Sequence, residues 1–272
     1  MDINLLAKGK TKWIEEAPDR PVGEILQRNL PYITWDDTYS VLVPGKDVWS
    51  AQTSANVFEF LARHDIPLAY VERAKDPACF YALQCEMIPI EVVVRLANEP
   101  ESSYSKRNPD APFGPFATPQ VEFFLKTVKK IFNHKTVAYD DPYISNLSET
   151  DMYICNPKAP VEPGEQVPYT EVFGHDPLGL FQEMSVASQR LGTVLSTGFQ
   201  TLGWKLGDFK IEFGRTRDGR IVPADDLNND SWRATDTVGV ERSKQQVRNC
   251  KAVTPQTLIN YQMVMELTSR LN

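Results

Sequence analysis

Asp208, Lys210 and Glu212 bring two carboxylates and an ammonium group into five consecutive residues of the segment D-F-K-I-E-F-G. Apolar residues stand between and after them, and this period of two predicts a β-strand with the charged side chains on one face. Carboxylates beside a lysine are groups that can hold a metal-bound nucleotide. The segment is therefore a candidate metal and nucleotide site.

Asp218-Gly219 follows this strand and is a strong signal for a β-hairpin with a two-residue type I′ loop. Counting outward from that loop pairs 217 with 220 and places Glu212 opposite Asp225. Two facing carboxylates repel unless a cation lies between them, so the count predicts that this pair holds Mg²⁺. An exposed charged face on an edge hairpin is the alternative.

The composition is typical of a globular protein that holds one large domain or two packed ones, with 272 residues, 42% hydrophobic and 24% charged. A net charge of −7 argues against nucleic-acid or anionic-membrane partners. The four cysteines lack C-x-x-C spacing and there are three histidines, so we expect free thiols and no zinc site. The first residues lack the long apolar run that predicts a signal peptide, and no apolar run is long enough to predict a bilayer-spanning segment, so we expect a cytoplasmic protein.

Three stretches that would position these charges carry apolar residues at helical spacing. They run from about Thr53 to His64, from Pro177 to Leu202, and from Thr254 almost to Asn272. In the last of them, Thr254 is the expected N-cap and Pro255 the first helical residue. The second stretch leads directly into the charged strand, and we expect it to be a core-facing helix.

The part of the chain between these helices contains one clear strand and two predicted loops. The β-branched run I-P-I-E-V-V-V-R at 88–95 predicts a buried strand with Glu91 and Arg95 on the same face. Residues 96–119 are polar and rich in proline, which predicts a long surface loop. Residues 149–170 lack a core pattern and predict an insertion or linker.

The basic segment A-K-G-K-T-K-W lies near the start of the chain. If it is extended, Lys8, Lys10 and Lys12 share one face, and Gly9 would allow the backbone to approach a phosphate. The spacing is not that of a Walker loop. A solvent-facing basic strand is the alternative interpretation.

Five motifs occur in an order that resembles the SAICAR synthetase (phosphoribosylaminoimidazole-succinocarboxamide synthase) family of purine biosynthesis. They are G-K-T-K at 9–12, I-P-I-E-V-V-V-R at 88–95, F-L-K at 124–126, D-F-K-I-E-F-G at 208–214 and D-D-L-N-N-D-S-W-R at 225–233. The first is weak by itself, whereas D-F-K-I-E-F-G is specific. The resemblance covers most of the chain apart from 149–170.

This resemblance implies an α+β fold with two lobes and antiparallel sheets, similar to ATP-grasp and kinase folds, with ATP in the interdomain cleft. It implies a first lobe over 1–86 with the ATP-phosphate loop and a larger lobe over 87–272 with the Mg²⁺ and substrate sites. The implied partners are small molecules: ATP, carboxyaminoimidazole ribonucleotide (CAIR) and L-aspartate, which give SAICAR through an acyl phosphate. The oligomeric state is left open, a homodimer included.

Carried over by motif, the resemblance also implies roles for individual residues. The implied catalytic residues are Asp208, Lys210 and Glu212, and the implied Mg²⁺ ligands are Glu212 and Asp225. The implied ATP contacts are Lys10, Lys12, Glu86, Met87, Ile88 and Lys126. The implied substrate contacts are Glu91, Arg95, Ser102, Asp230, Ser231, Arg233, Lys244 and Arg248.

The chain departs from the family pattern in segments that concern the substrates. L-A-N-E-P-E-S-S, after Arg95, lacks the usual glycine before serine, and Asp226 stands where the family has glutamate. The open alternatives are the family's ligase, a related carboxylate–amine ligase with another acid or amine, and a nucleotide-binding remnant without turnover. The absence of H-R-D and D-F-G signatures argues against a small-molecule kinase.

Overall fold

The computed structural model describes residues 4–35, 39–100, 102–162, 164–174 and 176–271. The chain forms two compact units, each built from segments that are distant in sequence. Unit 1 comprises Met1–Glu86, Leu195–Leu206 and Gly214–Asn272, and unit 2 comprises Met87–Val194 and Gly207–Phe213.

Unit 1 begins with a sheet and one long helix. Its elements are β1 (Leu5–Lys8), β2 (Lys12–Glu16), β3 (Glu24–Asn29), β4 (Tyr32–Trp35), β5 (Tyr39–Leu42), α1 (Lys46–Arg63), β6 (Tyr70–Arg73) and β7 (Cys79–Leu83). The strands β1, β2, β3, β7 and β6 form an antiparallel sheet in that order, and β4 and β5 form a separate two-stranded antiparallel sheet. Helix α1 contacts β3, β6 and β7, and its residues Val57, Phe58 and Leu61 are fully buried, as their helical spacing predicts.

Unit 2 contains a second antiparallel arrangement. In chain order the elements are β8 (Glu86–Asn98), α2 (Ser103–Arg107), β9 (Gly114–Leu125), β10 (Ile131–Phe132), β11 (Lys135–Thr136), β12 (Tyr143–Leu147), β13 (Asp151–Cys155), β14 (Glu165–Pro168), α3 (Thr170–Phe173), α4 (Pro177–Thr201) and β15 (Lys205–Arg215). The strands β14, β13, β12, β9, β8 and β15 are neighbours in that order. A Cβ added at Gly192 of α4 would lie 2.8 Å from a methyl carbon of Val94, so glycine allows this helix to approach β8 closely.

The last elements of the chain return to unit 1. They are β16 (Ile221–Ala224), β17 (Trp232–Thr235), α5 (Gln245–Cys250) and α6 (Pro255–Thr268). The start of α6 is confirmed: Thr254 and Thr257 form a capping box around Pro255, and α6 packs on α1. No helix in the described part of the chain is both long and apolar enough to cross a membrane.

The predicted charged strand is β15, and the helix before it is α4, so both predictions are confirmed. Phe209, Ile211 and Phe213 of β15 are buried. Both carboxylates of the opposite face are buried, because Asp208 and Glu212 are only 5% and 3% exposed. The interpretation of this face as exposed charge is therefore wrong. The predicted α+β class with antiparallel sheets is confirmed.

The prediction that 149–170 is a linker without a core pattern is wrong. This segment contains β13 and β14, which extend the sheet of unit 2 beyond β12. Met152 and Ile154 of β13 are completely buried. The apolar residues are few and separated by prolines and charges, so the segment was recognisable as a strand only through its pairing with β12.

The predicted loop over 96–119 is much shorter than expected. Strand β8 continues to Asn98 and β9 begins at Gly114, and the intervening residues include the single-turn helix α2. Prolines at 115 and 119 lie inside β9, where the pairing register with β8 shifts between Arg95 and Ala97. A proline lacks an N–H donor, and the irregular pairing at this register shift tolerates it.

Two further predictions near the start of the chain need correction. Helix α1 begins at Lys46 rather than near Thr53, because its first turns bury small polar residues instead of large apolar ones. Lys8, Lys10 and Lys12 do not share an extended strand. The Gly9 N–H donates to the Lys12 carbonyl at 2.9 Å, and the chain turns there between β1 and β2.

We predict that Ile154→Ala destabilises the protein by about 3 kcal/mol, because it removes a buried side chain from the sheet and leaves a cavity. Val161→Ala is the matched control, since Val161 is 47% exposed in the same segment and its truncation should change stability by less than about 0.5 kcal/mol. Urea unfolding curves measure both changes. Equal, small effects would mean that this segment is not part of the folded core.

Candidate functional site

Lys210 lies between two carboxylates in unit 2. Its ammonium nitrogen is 2.8 Å from Oε1 of Glu91 on β8 and 3.0 Å from Oε1 of Glu212 on β15. The second oxygen of Glu212 accepts a hydrogen bond from Lys126, which follows β9, at 2.5 Å. We call these four residues the Lys210 cluster. Three neighbouring strands therefore bring together residues from three of the predicted motifs.

The electrostatics of the Lys210 cluster favour the charged form of its central lysine. Burial alone would lower the pKa of Lys210, but the charges of Glu91 and Glu212 outweigh it and hold the pKa above its ordinary value. The Lys210 side chain is 33% exposed and that of Lys126 45%, whereas Glu212 is almost fully buried. The cluster thus presents two ammonium groups towards solvent-accessible space, supported by carboxylates beneath them.

Asp208, two residues before Lys210, takes part in a second group of charges in unit 2. Arg95 donates from Nη1 to Asp208 at 2.5 Å, from Nε to Glu122 at 2.8 Å and from Nη2 to the Ser103 hydroxyl at 2.7 Å. Glu122 also accepts a hydrogen bond from Arg107. We call these five residues the Arg95 network.

Arg95 itself is only 5% exposed, and each nitrogen of its guanidinium group donates to a different partner in the Arg95 network. Its predicted role as a substrate contact therefore stays a prediction. Ser102, also predicted to contact substrate, is buried as the N-cap of α2 and accepts from the Ser105 N–H at 2.9 Å. The neighbouring Ser103 supplies the hydroxyl beside Arg95 instead.

The turn after β15 differs from the prediction. The Thr216 N–H donates to the Arg220 carbonyl and the Gly219 N–H to the Thr216 carbonyl, both at 2.9 Å. Thr216 therefore pairs with Arg220 across a three-residue loop in which Gly219 has φ +87°. Asp218 stabilises this loop by accepting hydrogen bonds from the Thr216 hydroxyl and from Arg220.

Because the loop has three residues instead of two, counting outward no longer places Glu212 opposite Asp225. The prediction that these two carboxylates face each other is therefore wrong. Their mutual repulsion no longer supports a cation between them. Asp225 follows β16 with φ +69°, a left-handed conformation that aspartate tolerates better than most residues. No three His, Cys, Asp or Glu side chains within the described ranges form a group that could hold a metal ion.

Asp225 belongs to a small cluster in unit 1 centred on Lys12 of β2. Lys12 forms ion pairs with Asp225 and with Asp226, the latter at 3.2 Å. Gln27, on the adjacent strand β3, donates to the other oxygen of Asp226 at 2.6 Å. We call these four residues the Lys12 cluster. Asp226, which replaces the family's glutamate, thus fixes the ammonium group of a predicted phosphate-binding lysine.

Asp230 is paired within unit 1. Its Oδ2 atom is 2.7 Å from the ammonium nitrogen of Lys46, which is 1% exposed, and its Oδ1 atom accepts from the Tyr261 hydroxyl. Burial alone would raise the pKa of Asp230, but the charges of Lys46 and Lys244 outweigh it and hold the pKa well below its usual range. Burial and this carboxylate raise the pKa of Tyr261.

The other predicted site residues lie on several elements, and the structure does not test their roles. The Ser231 hydroxyl donates to the Asn228 carbonyl at 2.9 Å and so stabilises the turn before β17, where Arg233 is half-buried. Lys244 is buried before α5, and Arg248 is exposed in the last turn of that helix. The predicted ATP contacts outside the clusters are the exposed Lys10 and, at the start of β8, the exposed Glu86 and Met87 and the buried Ile88.

Sequence analysis missed Arg107, Glu122, Gln27 and Lys46. Glu122 offered a signal, because it is a single charge within the apolar stretch V-E-F-F-L of β9 and a buried charge needs a partner. The sequence around Arg107, Gln27 and Lys46 contains no such signal. Lys46 and Asp230 are 184 residues apart in sequence, and no local pattern links them.

The structure combines two α+β units that contain antiparallel sheets, and in each unit lysines or arginines pair with carboxylates. This architecture belongs to a known fold class. A solved structure described as SAICAR synthetase (Type-2) in complex with ADP matches with a TM-score of 0.74 and 21% identity, covering 98% of this chain and 97% of the other. The phosphoribosylaminoimidazole-succinocarboxamide synthase structure from Ehrlichia chaffeensis matches with a TM-score of 0.73 and 19% identity, covering 99% of both chains. The fold is that of SAICAR synthetases.

Sequence similarity then identifies the family. The SAICAR synthetase family model matches residues 5–147 and 172–266. The phosphoribosylaminoimidazole-succinocarboxamide synthase of Chloroflexus aggregans is 34% identical, over 98% of this chain and 96% of its own. That of Herpetosiphon aurantiacus is 32% identical, over 97% and 96%. The chain belongs to the SAICAR synthetase family, and the unmatched segment 148–171 contains β13 and β14.

We predict that Lys46→Met destabilises the protein by about 3 kcal/mol at pH 7, because it removes the buried ammonium group that pairs with the partly buried carboxylate of Asp230. The folded-state pKa of Asp230 is depressed, so this stabilisation is present above the unfolded-state value of about 3.9 and is lost as the pH falls. The difference between wild type and variant should therefore shrink below about pH 4. Urea unfolding at several pH values measures it.

Lys75→Met is the matched control, since Lys75 is an exposed lysine of unit 1. It should change stability by less than about 0.5 kcal/mol at every pH. A Lys46→Met effect as small as that of the control, or one that does not depend on pH, would contradict the pairing.

Proposed function

We propose that the chain joins the carboxylate of CAIR to the amine of L-aspartate and gives SAICAR, with conversion of ATP to ADP and phosphate. The relatives named phosphoribosylaminoimidazole-succinocarboxamide synthase, which align over nearly the whole chain, support this proposal. The observation that carries it is the Lys210 cluster. Two of its residues, Lys210 and Glu212, come from the motif most specific to the family, and the cluster holds a charged lysine beside accessible space.

The proposed reaction explains why charged groups, and no protein nucleophile, form the site. A carboxylate is a poor electrophile, so one of its oxygens first attacks the γ-phosphorus of ATP and ADP leaves. The amine nitrogen of aspartate then attacks the acyl carbon of the resulting acyl phosphate, phosphate leaves, and the nitrogen loses a proton. The enzyme supplies orientation and charge stabilisation for both steps.

In unit 2, we assign charge stabilisation to Lys210. Its raised pKa keeps the ammonium group charged at neutral pH, where it can stabilise negative charge that develops on the transferred phosphoryl group. Lys126, bonded to the same glutamate, adds a second positive charge for the ATP phosphates. We assign Asp208 and Glu91 to orienting the CAIR carboxylate and the lysine beside it.

In unit 1, we assign Lys10 and Lys12 to the ATP phosphates, with Lys12 held by Asp225 and Asp226. The family motifs assign Mg²⁺ binding to Asp225 and, in unit 2, to Glu212, and a bound Mg²⁺ would neutralise phosphate charge. Carboxylate oxygens suit this ion, because Mg²⁺ usually combines one or two carboxylates with phosphate oxygens. The nucleotide base would contact residues 86–88.

The remaining assignments follow the family motifs and are part of the same proposal. The ribonucleotide and aspartate would contact Arg95, Ser102, Asp230, Ser231, Arg233, Lys244 and Arg248. We also retain the functional division into a first lobe over 1–86 and a second over 87–272. A cytoplasmic location would fit the small-molecule substrates.

The function is tested by coupled measurement of ADP release with purified protein, ATP, Mg²⁺, CAIR and L-aspartate. We expect ADP release that requires both CAIR and aspartate, together with formation of SAICAR detected by mass spectrometry. Turnover with another acid or amine in their place would indicate a related ligase. ATP binding by calorimetry without turnover of any of these substrates would indicate a nucleotide-binding remnant.

We predict that Glu212→Gln lowers kcat by about a hundredfold or more, because it removes the charge that holds Lys210 and Lys126 in place. Glu16→Gln is the control, since Glu16 is an exposed carboxylate on β2 and its replacement should leave kcat unchanged. The circular dichroism of both variants should match that of wild type. Near wild-type turnover by Glu212→Gln would contradict the assignment.

A further inference from the structure

Arg107 is a buried arginine of unit 2 to which neither the family motifs nor the proposed reaction gives a role. Its side chain is 0% exposed, and it lies at the end of the single-turn helix α2. The guanidinium carbon lies 4.4 Å from the ring centroid of Tyr143 and 5.0 Å from that of Phe124. A charge packed this way against two aromatic rings has little freedom to move.

The polar contacts of Arg107 connect two parts of unit 2. Its Nη2 donates to Oε1 of Glu122, and its Nη1 donates to the carbonyl of Pro157. Pro157 lies in the segment 148–171, which the family model does not match. This segment therefore supplies an acceptor that holds Arg107 against Glu122.

Glu122 links Arg107 to Arg95 through hydrogen bonds. One of its oxygens accepts from Arg107 and the other from Nε of Arg95 at 2.8 Å, so the carboxylate bridges two arginines. Nη1 of Arg95 then donates to Asp208 at 2.5 Å. Two arginines and two carboxylates alternate along this path and their formal charges sum to zero.

The balance of charge is important for stability here, because all four side chains are buried, with at most 7% of each exposed. Without Arg107, this group of four would carry a net negative charge, and Arg95 would be the one cation of the path between Glu122 and Asp208. The guanidinium group of Arg95 would then turn both of its parallel donors to Glu122, since bidentate pairing is the stronger geometry. Asp208 would lose its hydrogen bond from Arg95.

We propose that Arg107 and Glu122 are positioning residues for the ligase reaction, which act through Arg95 to fix the carboxylate of Asp208, with Pro157 of the segment 148–171 holding Arg107. This inference rests on the proposed function, because it assigns Asp208 to the acid substrate. Neither residue touches the reacting atoms. Their effect should therefore appear in the rate of the chemical step and in CAIR binding, while ATP binding stays unchanged.

The test is a kinetic double-mutant cycle with Arg107→Met, Glu122→Gln and the double variant. Each single variant should lower kcat by about tenfold and leave KM for ATP within about twofold. The double variant restores a neutral group, so its loss should be smaller than the product of the two single losses. Arg107→Lys keeps the charge and should recover part of kcat, which a purely steric role would not produce.

Arg73→Met is the matched control. Arg73 is a half-buried arginine of unit 1 that bonds to Glu59, Gln52 and Asn56, so its loss should lower the unfolding temperature without changing kcat. All assays are run about ten degrees below the lowest unfolding temperature. If the folded Arg107→Met and Glu122→Gln variants keep wild-type kcat, as the control does, or if their effects multiply independently, the proposal is overturned.

A structural measurement separates this proposal from the function itself. If wild type shows no ADP release that depends on CAIR and aspartate, the proposed function fails. Crystal structures of wild type, Arg107→Lys and Arg107→Met still decide the positioning step. We expect the contact between Arg95 and Asp208 to be intact in Arg107→Lys and lost in Arg107→Met. An unchanged contact in both variants would refute positioning through Glu122.

Discussion

The contact of Lys210 with Glu91 and Glu212 is the interaction on which the arrangement of unit 2 depends. The two glutamates project from the neighbouring strands β8 and β15, and the ammonium group lies within 3.0 Å of both. Without the lysine, two like charges would remain close together in a partly buried place, which costs several kcal/mol. The same contact keeps the lysine protonated. A requirement of folding and a requirement of the proposed phosphoryl chemistry are thus met by one group.

Charge balance governs the surrounding residues as well. On the same face of β15, Asp208 is balanced by Arg95, which in turn is held through Glu122 by Arg107. Unit 1 follows the same rule, with the buried Lys46 against Asp230. Such paired groups are already oriented before a substrate arrives, and this preorganisation is a main source of electrostatic catalysis. It also explains why several predicted substrate contacts have protein partners in the structure.

The sequence predicted those features that a local pattern determines. Alternation defined β15, and Thr254 with Pro255 defined the start of α6. The turn after β15 was predicted one residue too short, because Asp218-Gly219 fits both a two-residue loop and the three-residue loop that Thr216 and Arg220 close. The burial of β13 within 149–170 and the pairing of Lys46 depend on contacts between residues that are distant in sequence. A single sequence carries no local signal for such contacts, and the family motifs contributed only the residues that they contain.

The central claim is that Lys210 stays charged because two carboxylates hold it. The most direct measurement is NMR titration of its side-chain Nζ and Cε signals, assigned by their absence in Lys210→Arg. A raised folded-state pKa means that the group keeps its proton at pH values where a free lysine loses it, so the signals should show no transition up to the ordinary value of about 10.4. In Glu212→Gln the transition should move to lower pH, since one of the two stabilising charges is gone. A wild-type transition below about pH 10, or one that Glu212→Gln does not change, would contradict the account.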